Sequence, residues 1–130
     1  MARRIKIDIT GGVSYSNLKV FLDRAESELD SAKKRLRGIE RHDHILYQDA
    51  SGRLREVHKW ARKLMPKFED LDYILARQAL NYYIDLAAQE GVNDSAISRA
   101  SNDCLFAIER YTNKLRDYIA SLNPDNKDKK

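Results

Sequence analysis

Seven apolar residues in the first third of the chain keep a heptad rhythm: Leu18, Leu22, Ala25, Leu29, Ala32, Leu36 and Ile39. Their spacings alternate 4, 3, 4, 3, 4, 3, which lays one narrow apolar seam along a helix and requires a lengthwise helical partner. The rhythm returns at Ile97, Ser101, Cys104, Ile108, Tyr111, Leu115, Tyr118 and Leu122. Two such seams imply an all-α chain, an antiparallel bundle of three to four long helices. With 5 Gly and 2 Pro in 130 residues, turn material is too scarce for an all-β fold. A single domain of this length can bury a core of its own.

Residues 3–9 read RRIKIDI, with Ile5, Ile7 and Ile9 on one side; this period of two predicts a short strand within an extended arm over 1–12. Ser14 or Ser16 offers a cap to a first helix over 16–40. Residues 41–50 are expected to form a polar connection. A second helix over 52–65 carries Leu54, Val57, Ala61 and Leu64 inward, until Pro66 stops it by lacking an N–H. A third helix over 68–89 is apolar on two stripes: Leu71, Leu75, Ala79, Tyr82 and Leu86 on one, Ala76, Leu80, Tyr83 and Ala87 on the other. Two apolar sides predict packing from two sides and a central position. Gly91 ends it, and Asn93, Asp94 or Ser95 caps a fourth helix over 94–122. The apolar-free NPDNKDKK over 123–130 is expected to be disordered.

No nucleophile elbow, Gly-rich phosphate loop or paired Cys and His motif is present, so neither catalysis nor a cofactor is expected. His42, Asp43, His44 and His58 contain the right donors for zinc. Without a close His or Cys pair at ligand spacing, the histidines are expected to be solvated and no metal is expected. Cys104 lies on a seam as a small hydrophobe; being alone, it forms no internal disulfide and suits a reducing compartment. No run approaches the roughly 18 apolar residues of a membrane span, and the N-terminus lacks a signal peptide's apolar core. The expected location is therefore cytoplasmic, with export by a route that needs no cleaved signal as the alternative.

Charge is uneven. Residues 1–67 hold 16 Lys and Arg against 9 Asp and Glu, giving +7, whereas residues 68–130 hold 8 against 11, giving −3. A polarised chain can attract an acidic partner or pair head to tail with itself. The densest basic feature is Arg53, Arg55, Lys59, Arg62, Lys63 and Lys67, opposite the apolar stripe of the second helix, with Trp60 at its rim. Such a patch can meet an acidic protein, follow phosphates with Trp60 stacking on a base, or simply face solvent.

Residues 83–102, YIDLAAQEGVNDSAISRASN, resemble the helix-turn-helix of the lactose-repressor family at Asp85, Ala87, Gly91, Val92, Ile97, Ser98, Arg99 and Asn102. That resemblance implies a DNA-reading role for Ser95, Ala96, Ser98 and Arg99; the same residues also fit an ordinary αα-turn. The long heptad helices are similar, more loosely, to the helical-hairpin proteins exported by type VII secretion systems. The expected function is a small non-catalytic adaptor or assembly protein of bacterial or phage type, binding a protein partner or itself as a homodimer. The alternatives are a nucleic-acid-binding regulator and a type VII secretion-associated protein.

Overall fold

Helices form where the seams run. The computed structural model describes residues 13–37, 44–89 and 91–124. It contains α1 (Tyr15–Arg37), α2 (His44–Leu64), α3 (Leu71–Ala87) and α4 (Asp94–Ser121). Residues 1–12, with the expected strand, lie outside the described residues, as do 38–43, 90 and 125–130. Ser14 Oγ accepts from the Asn17 N–H at 3.2 Å, taking up an amide that the first turn leaves unpaired. Asn93 does the same for α4, accepting from the Ala96 N–H at 2.8 Å. Gly91 sits at φ 80, a left-handed conformation that suits a residue without Cβ in the turn before α4.

Side-chain contacts set the directions. Glu26 meets Arg116 and Lys33 meets Glu109, so α4 descends as α1 rises. Tyr47 stacks on Tyr83 and His58 on Tyr73, which makes α3 antiparallel to α2. Asp72 faces Arg110 while Cys104 Sγ points at the Ala79 carbonyl, so α4 is antiparallel to α3. The principal neighbours are α1 with α2, α2 with α3, α3 with α4, and α4 with α1. The result is an up-down-up-down four-helix bundle closed into a ring. Its core contains Leu18, Phe21, Leu29, Leu54, Leu80 and Ile108, none more than 6% exposed. Among the described residues, two hydrogen bonds span the ring between α2 and α4: Tyr47 donates to Ser101, and the Tyr111 hydroxyl bonds His58.

Three expectations are corrected. The connection expected over 41–50 is helical from His44, and Gly52 lies well inside α2. The reason is burial: Tyr47 and Ala50 are fully covered, extending the α2 seam to Tyr47, Ala50, Leu54, Val57, Ala61 and Leu64. Ring stacking of Tyr47 on Tyr83, centroids 3.5 Å apart, holds that first half against α3. Second, α3 is one side of a ring, not its centre. Ala76, Leu80 and Tyr83 of one stripe are buried, and so is Leu86 of the other, whereas Leu71, Leu75 and Tyr82 face outward. Third, the first seam passes through Phe21, which is fully buried, with Leu22 only half-buried beside it. The α2–α3 join is a true break: helix ends at Leu64, and the turn through Pro66 tucks Met65 and Phe68 into the core.

Candidate functional site

The basic residues of α2 separate into different environments. Arg53 turns inward, contrary to its expected place on the patch. Its Nη1 donates to Glu28 Oε1 and its Nε to Asp49 Oδ2, each at 2.9 Å. Arg53 is 6% and Glu28 8% exposed, so this is an interior ion cluster between α1 and α2. Burial opposes the charge, but the bonds from Asp49 and then Glu28 prevail and raise the guanidinium's pKa. Arg62 is exposed but tied to Asp70, and the Lys63 ammonium lies 4.7 Å from the centroid of the Trp60 ring. Arg55, Lys59 and Lys67 are exposed, and Trp60 is half-buried.

His58 also departs from expectation. It is 6% exposed rather than solvated, and lies flat on Tyr73 with ring centroids 3.9 Å apart. Its Nε2 and Nδ1 stand 2.8 Å from Asp70 Oδ1 and Tyr111 Oη respectively. Arg62 first, and His58 next, hold the Asp70 carboxyl below its usual range. A carboxylate only accepts, which assigns the imidazole proton to Nε2 and leaves Nδ1 to accept from the Tyr111 hydroxyl. Burial lowers the His58 pKa more than Asp70 raises it, and nearby Arg62 adds to the lowering.

The sign of the pH effect follows. The unfolded chain takes up a proton near the ordinary value of 6.5, whereas the folded chain resists it. The contribution of neutral His58 is therefore complete above that value and declines as pH falls below it. Urea midpoints should drop between pH 7.5 and 5.5, and His58→Phe should shrink that drop. An equal drop in both proteins would rule out His58 as its origin.

α3 and α4 pack lengthwise as an αα-hairpin, whereas a helix-turn-helix crosses its helices at roughly 90–120°. Ser95, Ser98 and Arg99 are exposed at the start of α4, and Ala96 is half-buried. Cys104 is fully buried, and burial pushes its thiol up to about 12, so it stays protonated. Among the described residues no three His, Cys, Asp or Glu side chains gather to hold a metal ion, and no helix is long and apolar enough to cross a membrane.

The most unusual exposed surface is apolar and lies on α3. Leu71 and Tyr82 are each 60% exposed, Ile74 45% and Leu75 42%. Leu71, Leu75 and Tyr82 share one helical face, at spacings of 4 and 7. The sequence predicts these three to be interior together with Ala79 and Leu86; Ala79 is half-buried and Leu86 buried, so only part of that stripe faces outward. The signal for the outward part lies in α3 itself: the helix carries more apolar circumference than two neighbours can cover. Compared with family models, curated proteins and solved structures, the chain matches none.

Proposed function

We propose that the protein is a non-catalytic, cytoplasmic assembly protein that works through protein–protein contact on the outer face of α3. The observation that carries this reading is the outward seam of Leu71, Leu75 and Tyr82. Contiguous exposed apolar surface on a small domain marks an interaction site, and a seam with heptad spacing fits another helix. The occupant is a second copy of this chain. Two α3 helices running antiparallel across a two-fold axis set Leu75 of each against Tyr82 of the other, an isologous contact. The lone buried Cys104 suits a reducing compartment.

Light scattering at micromolar concentration should report a mass above the 15.1 kDa of one chain. The double variant Leu75→Glu with Tyr82→Glu should return it to monomer without changing helical content, because both side chains are exposed. A wild-type chain that stays monomeric at several hundred micromolar would overturn the proposal. A second reading, a nucleic-acid-binding regulator, draws support from the exposed Arg55, Lys59, Arg62, Lys63 and Lys67 on or beside α2. It requires binding that weakens steeply with salt, whereas an apolar contact is far less sensitive.

A further inference from the structure

On the opposite side of α3 from its interior contact with α4, a groove of about 360 Å³ runs between α2 and α3. Gln48, Ser51 and Arg55 line it from α2, and Arg77, Asn81 and Ile84 from α3. Their spacings, 3 and 4 on one helix and 4 and 3 on the other, place each set on a single helical face. No carboxylate lines this groove. Two other cation clusters do hold carboxylates: Lys67 and Lys114 share a groove with Glu69, Asp72 and Asp117, while Arg116 is paired with Glu26.

Arg77 is the unusual member. Its Nη1 donates to the Tyr73 hydroxyl at 2.8 Å, and its guanidinium carbon lies 5.7 Å from the Tyr73 ring centroid. These contacts hold the fork in place, and Tyr73 is held in turn by its stack on His58. The Arg77 Nε is nevertheless buried with no hydrogen-bond partner, the one such side-chain atom among the described residues. A buried N–H donor without an acceptor is costly, and native structures rarely leave one so. Arg55, exposed on the facing helix, has no carboxylate against it among the described residues. Two guanidiniums, two side-chain amides and a hydroxyl therefore border one open groove, with donors in excess and no anion supplied by the protein.

We propose that this groove binds a tetrahedral oxyanion of the phosphate type, with Arg55 and Arg77 supplying the charge. Guanidinium forks match phosphate oxygens in pairs, and Gln48, Ser51 and Asn81 add neutral donors around them. The ligand is either a small phosphate or a phosphate of a nucleic-acid backbone, since both present the same oxygens. This goes beyond the assembly reading: it uses a different face of α3 and survives if that reading fails.

The test is titration of the full chain with inorganic phosphate, pyrophosphate and a single-stranded oligothymidylate, followed by the arginine Nε–H signals in nitrogen–proton NMR. The Arg77 Nε–H should shift on saturation. Arg55→Gln, an exposed change, should weaken binding at least tenfold, while Arg99→Gln on exposed α4 surface should leave it within twofold. Arg77→Lys keeps the charge but loses the fork, and should weaken binding to a similar extent. Pyrophosphate or phosphate binding more tightly than the oligonucleotide identifies a small ligand. Tighter oligonucleotide binding, with the same loss in Arg55→Gln, identifies a nucleic-acid backbone. The proposal is overturned if no probe moves the Arg77 Nε–H, or if Arg55→Gln and Arg99→Gln weaken binding equally.

Discussion

Replacing Arg53 with Met should cost about 3–5 kcal/mol, because the change leaves a buried carboxylate without its counter-charge. Glu28 is 8% exposed and pairs with Arg53 at 2.9 Å, so little water reaches the carboxylate once the guanidinium is gone. A surface arginine at the same position would cost within about 0.5 kcal/mol. The measurement is a urea denaturation series read by circular dichroism. A second substitution, Glu28→Leu in the Arg53→Met background, should recover part of the loss, since an apolar pair of similar volume often replaces a buried ion pair without penalty. Wild-type stability for Arg53→Met would mean that α2 is rotated from the orientation described.

Leu29→Ala should cost about 2–5 kcal/mol, the range for deleting a buried leucine and leaving part of its volume empty. Leu29 is fully buried and lies in the middle of the α1 seam. Against a total stability of about 5–15 kcal/mol for a domain, that is a large fraction. Ala32, also fully buried one turn further on, tests the same packing from the other direction. Ala32→Leu should destabilise by about 1–3 kcal/mol, because no space is left for the added carbons. Thermal and urea midpoints check both. If both variants melted with wild type, α1 would not pack against its neighbours as described.

Much of the bundle is legible in the chain. The seams of α1 and α4, the stop near Pro66, the Gly91 turn and the Asn93 cap all appear as local spacing and local chemistry. The start of α2 was obscured by its composition. His44, Gln48, Asp49, Ser51 and Gly52 look like loop residues, yet Tyr47 and Ala50 continue the seam of Leu54 and Val57 without a break in rhythm. Intrinsic preference costs up to about 0.7 kcal/mol at each polar position and about 1 kcal/mol at Gly52, against which stand the burial of Tyr47 and Ala50 and the tyrosine stack.

The candidate sites were less legible. Arg53 and Arg55 are two residues apart and equally basic, but helical geometry turns them some 200° from each other. One meets Glu28 in the interior; the other reaches the groove beside Arg77. Nothing in the local sequence distinguishes them, because the difference depends on α1 and α3 occupying different sides of α2. His58 and Asp70 are twelve residues apart across a helix break, and Tyr111 is more distant still.

Periodicity is written in the chain: which residues share a helical face, where each helix can stop, and that such faces must be covered by other helices. Those are short-range properties, written in spacings of three and four and in the backbone limits of proline and glycine. The tertiary structure alone decided which faces found cover. On α3 the two apolar stripes are comparable by composition, but a four-membered ring gives each helix two principal neighbours. Ala76, Leu80 and Tyr83 therefore entered the core, while Leu71, Leu75 and Tyr82 remained outside. The same closure buried one arginine of α2 and left the next at a groove, because burial is a property of the assembled ring and not of any one helix.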